Sequence, residues 1–511
     1  MNSKLFIGVL TYNRLESVKK LICALKTFTA VPYELVVSAS DTNDGTVTWC
    51  QENNIRVITS DNKGIAQGKN HLLYYFLHKS DCEMIIMLED DCRVWEVGWE
   101  QEWILACKTW DHVNWPVTTL EVCAYGGNTP GNPIRTSVFS GCCTITSRKS
   151  LLKVGYLDPR FFGYGGEHAE WTWRFYRLLK DSWKEPSEGK TVPCLSSHVG
   201  SEFTTSLFEK EIYKKNMVLM AKLLEEDQTI YRQPWLDDTY KAEFLEAIDR
   251  AASADIPESN GGGGAGERCP LCGCIGVPTG TKDNVVIRNC CGVLLAWGWE
   301  SEAEYLRWYS DGTRYHMDEQ VAQRQKSYAD RDADHVSAAF QRIQLIRMLR
   351  PGARTLTDIG AGTGALVHAA SATGFDARGL EPNANLVKFA TDAGRRVSVG
   401  DWSTVRYFSD VFCLVDVLEH LTRPKECLRY VLQFLAKDGL LYVEMPEAAC
   451  HEHQVQKLEW KHIRPKQHVC LYSDDAAQKL FYMCGYQVEF AIRPKIGKLG
   501  KIAYGLSPYP R

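Results

Sequence analysis

The sequence predicts two α/β domains, each built on a largely parallel sheet covered by helices, with a small cysteine-rich module between them. Short apolar segments alternate with helical stretches in both halves of the chain, a pattern typical of parallel sheets. Residues 251–267 contain four consecutive glycines after a small, polar, proline-containing segment, and this composition predicts a linker. The length of 511 residues also exceeds what one hydrophobic core usually organises.

The first half, which we take as a domain of residues 1–250, opens with strand and helix candidates in alternation. In chain order they are LFIGVL, SVKKLICALKTF, YELVVS, TVTWCQENN, IRVIT, a helix ending at His78, and EMIIMLED. Residues 208–250 are rich in Lys, Glu, Leu and Ala and predict helices that close this domain. In parallel sheets of this kind, ligands bind at the carboxyl ends of the strands.

The second half repeats this alternation in a predicted domain of residues 301–511. Its segments are TLTDIG, LVHAASATG, DARGLEP, NLVKFATDAG, RVSVGD, DVFCLVDVLEHL, LRYVLQFLAKDG and LLYVEMP. Two α/β domains therefore follow from the periodicity alone.

Composition excludes several classes of protein. Lys and Arg total 59 against 63 Asp and Glu, so a net charge of −4 gives no bulk attraction to nucleic acid or to an anionic membrane. The longest apolar run near the amino end has six residues, too few for a signal-peptide core or a membrane span. We therefore expect a cytoplasmic protein. Its 19 cysteines are then expected to be reduced or metal-bound rather than paired in disulfides.

Residues 84–91, MIIMLEDD, form an apolar strand candidate that ends in three carboxylates. Carboxylate oxygens suit Mg²⁺ or Mn²⁺, and a cation held there would neutralise a diphosphate leaving group. A solvated acidic turn would have the same sequence, so the motif alone leaves both interpretations open.

Four other segments accompany LEDD in a fixed order: TYNR at 11–14, NKGIAQGKN at 62–70, FFGYGGEHAEWTWR at 161–174 and PCLSSHVG at 193–200. With LEDD, the first two resemble the nucleotide-sugar half of a GT-A glycosyltransferase of the family 2 type. The last two resemble the acceptor-side and late metal-binding segments of galactosyl- and N-acetylgalactosaminyltransferases.

This resemblance implies roles for individual residues. Asp91 and His198 would ligate the cation, with Asp90 close to the donor sugar or the metal. The residues that would border the nucleotide are Thr11, Asn13, Arg14 and Lys69, the last with a charge suited to a phosphate. The family usually has an acid at the end of the second strand, where this chain has Ala39, and Asp41 two residues later is the substitute. A uridine diphosphate sugar is the default donor.

The general base is left open among three residues. Glu167 falls on the sugar-contacting glutamate of the related enzymes, and inverting relatives have a carboxylate at or just after it. This chain has His168 next, so the base is Glu167, His168 or Glu170, or none if the reaction retains configuration.

In the second domain, residues 355–364 read TLTDIGAGTG, a strand that enters a glycine-rich turn. The next strand ends at Glu381, 21 residues after Gly360, where an acid can accept both hydroxyls of a ribose. A dinucleotide is the alternative ligand, but the turn lacks the third glycine at the spacing of a dinucleotide fingerprint.

Together with DVLEHL at residues 416–421, this set resembles class I S-adenosylmethionine-dependent methyltransferases over about residues 335–490. The resemblance implies that Glu381 holds the ribose, while Asp401 and Trp402 face the adenine. The residues that would shape the cofactor turn are Asp358, Gly360, Gly362 and Gly364. His420 and His468 occupy positions where relatives carry histidines near the substrate, and each serves either in catalysis or in fixing a loop.

Between the domains, residues 268–300 resemble the zinc knuckle that precedes many sugar and natural-product methyltransferases. Cys269 and Cys272 form a C-x-x-C pair that can grip one tetrahedral ion, and Cys290 and Cys291 would complete the site, with Cys274 as another candidate ligand. A reduced, buried cluster without metal is the alternative.

These resemblances predict a bifunctional enzyme with S-adenosylmethionine, a nucleotide sugar, Mn²⁺ or Mg²⁺ and structural Zn²⁺ as its ligands. It would transfer a sugar to a carbohydrate or other hydroxyl acceptor and then methylate an oxygen of the product. A second hypothesis makes the acceptor a hydroxymethylated base in phage-like DNA, contacted through the basic stretch IRPKIGKLGK near the carboxyl end. A third is a binding scaffold with one degenerate domain. The sequence leaves the oligomeric state open.

Overall fold

A computed structural model of the 511-residue chain provides the structure. It describes residues 4–117, 126–179, 183, 191–201, 210–225, 233–254, 268–310, 331–493 and 500–509. Most of the predicted linker, residues 255–267, lies outside this set. The chain divides into two compact units, Met1–Asn260 and Gly261–Arg511. Among the described residues, no helix combines the length and apolar character that crossing a membrane requires.

The first unit has the following elements, numbered here in chain order: β1 Leu5–Thr11, α1 Leu15–Phe28, β2 Tyr33–Ala39, α2 Thr46–Glu52, β3 Arg56–Ile58, α3 Ile65–Lys79, β4 Met84–Glu89, β5 Cys92–Val94, α4 Trp99–Trp110, β6 His112–Pro116, β7 Ile134–Thr136, β8 Phe139–Ser147, α5 Arg148–Val154, α6 Glu167–Leu179, β9 Val192–Cys194, β10 Val199–Ser201, α7 Lys210–Glu225 and α8 Asp238–Ser253. All seven segments predicted before residue 90 form as strands or helices of the expected type.

An eight-stranded sheet in the order β3-β2-β1-β4-β8-β6-β9-β7 organises this unit. Strands β3, β2, β1 and β4 run parallel, so their carboxyl ends share one edge. Beyond them, β8 is antiparallel to β4. The helices cover the sheet with apolar faces, as α1 shows by burying Val18, Leu21, Ile22 and Leu25 at helical spacing.

The second unit has these elements: β11 Val277–Lys282, β12 Val285–Cys290, β13 Val293–Leu295, α9 Glu302–Ser310, α10 Asp332–Leu349, β14 Thr355–Ile359, α11 Ala365–Ala372, β15 Asp376–Glu381, α12 Ala384–Asp392, β16 Val397–Val399, β17 Ser409–Val415, α13 Pro424–Phe434, β18 Leu435–Pro446, α14 His451–Gln456, β19 Cys470–Tyr472, α15 Asp474–Met483, β20 Tyr486–Ile492 and β21 Lys501–Pro508. Short 3₁₀ turns follow β16 and β17, at Trp402–Thr404 and Leu418–His420.

Seven of these strands form one sheet in the order β16-β15-β14-β17-β18-β21-β20. Only β21 runs antiparallel to its neighbours β18 and β20. The result is a Rossmann-like sheet whose strands, numbered within it, lie in the order 3-2-1-4-5-7-6. One deviation from the sequence prediction is the segment LAKDG, which was expected to extend a helix but begins β18, since α13 ends at Phe434.

The cysteine-rich segment is not a separate body. Strand β13 pairs with β19, which lies more than 170 residues later in the chain, and completes a four-stranded sheet β11-β12-β13-β19. Ile287 and Leu294 from the segment share a buried apolar cluster with Trp460, Ile463 and Leu471. Residues 268–300 therefore fold together with part of the region that we assigned to the following domain.

Candidate functional sites

Asp90 lies at the edge where the parallel strands of the first unit end. The register pairs Leu10 with Glu89, which places Thr11 beside Asp90. The Thr11 hydroxyl donates to Asp90 Oδ2 at 2.7 Å, and Arg14 Nη1 donates to Oδ1 at 3.1 Å. Burial raises the pKa of Asp90 to about 6, although both donors oppose the rise. Three of the residues predicted to border the donor therefore form one hydrogen-bonded group.

The next residue, Asp91, has a carboxylate oxygen that is suited to a cation. Its Oδ1 is buried and has no hydrogen-bond partner among the described residues. Burial, and then the charge of Glu89, raise the pKa of Asp91, while Arg14 and a hydrogen bond from Ser201 oppose the rise. A buried carboxylate oxygen without a donor is costly, and a divalent cation would satisfy it.

The expected ligand pair of Asp91 and His198 stays a prediction. In the ribbon formed by β5 and β10, Ser201 pairs with Cys92 and Val199 with Val94. The backbone of His198 therefore lies at the far end of this ribbon, on the order of 10 Å from that of Asp91 at the usual rise per residue. Among the described residues, the groups of three or more potential metal ligands contain neither side chain.

Lys69, which we predict to border the nucleotide, is buried beside an acid. Its side chain is 1% exposed, and its Nζ donates to Glu89 Oε1 at 2.8 Å and to the carbonyl of Gly141 at 2.9 Å. Burial disfavours the charged form, but Glu89 and Glu167 outweigh it and raise the pKa of Lys69. Lys69 thus contacts Glu89, and its role beside a phosphate stays a prediction. Gly141 permits the approach, because a Cβ there would lie 2.7 Å from Nζ.

The three candidates for the base have different environments. Glu167, the first residue of α6, has a buried Oε2 without a partner among the described residues, and burial raises its pKa. His168 Nε2 is 2.7 Å from Asn114 Oδ1, inside an aromatic cluster. Glu170 accepts a 2.8 Å hydrogen bond from the buried Arg174. Nδ1 of His168 and Oε1 of Glu170 are also buried without a hydrogen-bond partner among the described residues, so the three candidates for the base stay open.

Asn13 and Asp41 belong to the loops that follow β1 and β2. Asn13 Oδ1 accepts from the backbone N–H of Asn43 at 2.9 Å, so it ties the two loops together. Asp41 is exposed, has a φ of +50°, and donates its backbone N–H to Ser60 at 2.9 Å. Asp41 is therefore accessible to a ligand at this edge, whereas the oxygen of Asn13 already has a partner.

In the second unit, the glycine-rich turn and Glu381 form one cradle. The turn needs positive φ angles at Gly360, Gly362 and Gly364, which glycine adopts without steric cost. Gly362 N–H donates to Glu381 Oε2 and Asn383 N–H to Oε1, both at 2.9 Å. Each carboxylate oxygen retains a lone pair for a hydroxyl. Burial raises the pKa of Glu381, and the two N–H groups oppose the rise.

The other predicted cofactor residues lie around this cradle. Asp358 is buried at the end of β14, where burial raises its pKa to about 8, with Glu381 adding to the rise and Arg342 opposing it. Asp401 caps the 3₁₀ turn after β16 by accepting from Ser403 N–H at 2.8 Å. Trp402 lies on this turn, half-buried and edge-on to Tyr430.

His420 and His468 come together after β17, with ring centroids 4.8 Å apart. Glu419, within the DVLEHL motif but not among the predicted site residues, lies against both. Sequence reasoning also missed Lys501, which is buried and forms an ion pair with Asp416. A carboxylate at a strand end was the available signal for Asp416, whereas nothing local marks Lys501.

Three thiols of the cysteine-rich segment cluster. The Sγ atoms of Cys272, Cys290 and Cys291 are 3.5, 3.6 and 3.7 Å apart. Four sulfurs at 2.3 Å from a tetrahedral Zn²⁺ would be about 3.8 Å apart, so these spacings fit three corners of a zinc site. Cys269 Sγ donates instead to the carbonyl of Cys290 at 3.5 Å. The pair Cys290–Cys291 therefore contributes both thiols to this cluster, whereas the pair Cys269–Cys272 contributes only Cys272.

The basic stretch at the carboxyl end offers no free cation among its described members. Residues 494–499 lie outside the described set. Arg493 pairs with Glu447 and Asp474, and Lys501 with Asp416. These two cations are thus neutralised within the chain.

Comparison with known proteins decides the families. Residues 6–100 match the model of glycosyl transferase family 2, and residues 326–489 match a methyltransferase domain. The chain joins a family 2 glycosyltransferase domain to a methyltransferase domain. The protein is accordingly a transferase. No curated protein sequence matches the chain significantly.

Solved structures are similar to part of this chain. Magnesium protoporphyrin IX methyltransferase from Synechocystis PCC 6803 is 13% identical over 40% of this chain and 99% of that chain, with a TM-score of 0.32. An S-adenosylmethionine-dependent methyltransferase from Clostridium acetobutylicum ATCC 824 is 10% identical over 34% and 91% of the two chains, with a TM-score of 0.28. A possible histamine N-methyltransferase from Thermotoga maritima is 19% identical over 35% and 93%, with a TM-score of 0.28.

Proposed function

We propose that this protein is a bifunctional enzyme that transfers a sugar from a nucleotide-sugar donor to a hydroxyl acceptor and O-methylates the glycan or related product with S-adenosylmethionine. The observation that carries this proposal is that each domain has buried carboxylates at the carboxyl ends of its parallel strands, where such sheets bind ligands. In the glycosyltransferase domain these are Asp90, which is buried, and Asp91, which is half-buried with a buried Oδ1; in the methyltransferase domain it is the buried Glu381.

In the glycosyltransferase domain, Mn²⁺ or Mg²⁺ fits Asp91, whose Oδ1 is buried without a partner among the described residues. When bound, the cation supplies positive charge to the diphosphate leaving group. Arg14 and Thr11 hold Asp90 in a single orientation towards the donor. Asp41 is the accessible acid for the nucleoside, and a uridine diphosphate sugar remains the default donor.

Glu167 is the residue that we assign as the base. Its raised pKa and unpaired Oε2 suit a carboxylate that takes the proton of an acceptor hydroxyl. Lys69, between Glu89 and Glu167, keeps both carboxylates in place by its charge.

In the methyltransferase domain, Glu381 would accept hydrogen bonds from the ribose hydroxyls of S-adenosylmethionine, and the glycine turn would leave room for the bound cofactor. A Cβ at Gly360 would lie 2.5 Å from Val417 Cγ2, so the turn tolerates no larger residue there without a shift. We also assign a structural Zn²⁺ to Cys272, Cys290 and Cys291, whose spacing supports it.

The two activities are tested in the full-length protein without knowledge of the acceptor. UDP release from UDP-hexoses in the presence of Mn²⁺ measures hydrolysis of the donor, in which water takes the place of the acceptor. A thermal shift with S-adenosylmethionine measures cofactor binding. We expect both signals in the wild-type protein, with Asp91→Asn losing only the first. If no nucleotide sugar is turned over or bound, the glycosyltransferase assignment is wrong, and the absence of S-adenosylmethionine binding would refute the other half.

A further inference from the structure

Three potential metal ligands meet in the methyltransferase domain, and none of them belongs to the glycine turn or to Glu381. Glu419, His420 and His468 each offer one ligand atom, and these atoms all lie within 4.8 Å of one another. The three side chains are 1%, 7% and 6% exposed. Glu419 and His420 belong to the 3₁₀ turn after β17, and His468 arrives from the segment before β19.

Hydrogen bonds fix the orientation of both imidazoles. His420 Nδ1 donates to the carbonyl of Gln467 at 2.8 Å, and His468 Nδ1 donates to the carbonyl of His462 at 2.7 Å. In metal-bound histidines, one ring nitrogen commonly donates to a carbonyl in this way while the other nitrogen binds the ion.

The carboxylate of Glu419 has an unmet requirement. Its Oε2 is buried and has no hydrogen-bond partner within the described part of the chain. The nearby cation Lys501 is already paired with Asp416 and lies 3.7 Å from Glu444. The buried Oε2 of Glu419 would therefore be satisfied by either a proton or a metal ion.

A small movement would complete the geometry. Ligands at about 2.1 Å from a tetrahedral ion are about 3.4 Å apart, so the most distant pair of ligand atoms must approach by at most about 1.4 Å. Small rotations of the three side chains would supply this. The backbone is already fixed at this position, because Val469 N–H donates to the carbonyl of Glu419 at 2.9 Å.

We propose that Glu419, His420 and His468 bind a divalent transition-metal ion, with Zn²⁺ as the reference ion, and leave one coordination position open. Two imidazoles and one carboxylate suit Zn²⁺ or Fe²⁺ better than Mg²⁺. The use of the open position rests on the proposed methyl transfer, since it would hold the acceptor hydroxyl.

The reaction with such an ion balances as an ordinary methyl transfer. Held by Glu419, His420 and His468, such an ion would lower the pKa of the acceptor hydroxyl, whose proton would go to water. The oxygen lone pair then forms the new O–C bond with the methyl carbon of S-adenosylmethionine. The S–C bond breaks with its electron pair on sulfur, which leaves the neutral thioether of S-adenosylhomocysteine.

Metal binding is measured on the full-length protein after removal of metal with a chelator, by titration with Co²⁺ followed by absorption. Thiolate ligands of the cysteine cluster give a charge-transfer band, whereas a site of nitrogen and oxygen ligands gives only d–d bands. The variants are Glu419→Gln, which keeps the shape of the side chain, and His468→Asn. His368→Asn, which removes an exposed histidine of α11, is the matched control.

The wild-type protein and His368→Asn are expected to bind one Co²⁺ without a charge-transfer band, and both ligand variants should bind it at least about 100-fold more weakly. Equal binding by wild type and Glu419→Gln overturns the proposal and assigns a proton to Glu419. If the variants do not fold, X-ray absorption of the Zn²⁺-loaded wild type decides, because ligation by sulfur alone contradicts the site.

S-Adenosylmethionine binding separates this inference from the proposed function. Normal S-adenosylmethionine affinity with no sulfur-free Co²⁺ site refutes the metal site and leaves the methyltransferase assignment standing. A sulfur-free Co²⁺ site in a protein that does not bind S-adenosylmethionine refutes the methyl transfer and the role of the open position, but not the metal site.

Discussion

Glu381→Gln tests the cofactor cradle at a single functional group. The substitution preserves the length of the side chain but removes its charge and one of its two acceptor oxygens. In the wild-type protein these oxygens accept the N–H groups of Gly362 and Asn383 at 2.9 Å. The amide of glutamine must turn its NH₂ towards one of these donors, which leaves that N–H unpaired, and the remaining oxygen is a weaker acceptor for a ribose hydroxyl.

The magnitude follows from the loss of one hydrogen bond to a charged acceptor, worth about 1.5–3 kcal/mol. We expect the Kd for S-adenosylmethionine to rise about 10- to 150-fold, since each 1.4 kcal/mol corresponds to a factor of ten. Isothermal titration calorimetry of the full-length variant measures it. Glu426→Gln, at an exposed position of α13, is the matched control and should bind as the wild type does. An unchanged Kd for Glu381→Gln would show that the cofactor does not contact this carboxylate.

Three other predictions concern stability and turnover. Asp358 has a pKa of about 8 against an ordinary 3.8, so its contribution to stability is fully present below pH 3.8 and is lost as the pH rises through 8. The free energy of unfolding of the wild type should fall as the pH rises from 5 to 8, and Asp358→Asn should reduce this fall by on the order of 4 kcal/mol, as measured in urea titrations. Gly360→Ala should destabilise the fold by about 2–5 kcal/mol, because φ at this position is +73° and the new Cβ would contact Val417. Adding Val417→Ala should recover only the share of this loss that comes from the contact. An unchanged stability of Gly360→Ala would contradict the geometry of the turn. Glu167→Gln should slow UDP release about 10²- to 10⁴-fold without weakening donor binding, and an equal rate would rule it out as the base.

The sequence predicted the strand framework of both domains well because hydrophobic periodicity is local. It also placed Thr11 near Asp90, since parallel strands of similar length end at the same edge. The position of Glu381 against the glycine turn follows from the same rule, as neighbouring parallel strands β14 and β15 end together.

Other features of the site depend on contacts that the local sequence does not encode. The backbone positions of His198 and Asp91 are set by the register of a two-stranded ribbon, which a motif cannot specify. The ion pairs of Lys69 with Glu89 and of Glu170 with Arg174 likewise join residues whose pairing the motifs did not predict.

Long-range pairing also explains what the sequence did not reveal. The pairing of β13 with β19 merges the cysteine-rich segment with the methyltransferase region, although nothing in residues 268–300 predicts that partner. In the same way, the contact of Glu419 with His468 depends on the chain returning to the end of β17 through Val469.

Binding of both ligands to each of two variants tests most directly whether the chain has two independent ligand sites. Full-length wild type, Asp91→Asn and Glu381→Gln are each titrated with a UDP-sugar plus Mn²⁺ and, separately, with S-adenosylmethionine. We predict that Asp91→Asn loses affinity only for the nucleotide sugar and Glu381→Gln only for S-adenosylmethionine. The same affinities in all three proteins, or the loss of both ligands in either correctly folded variant, would contradict the account.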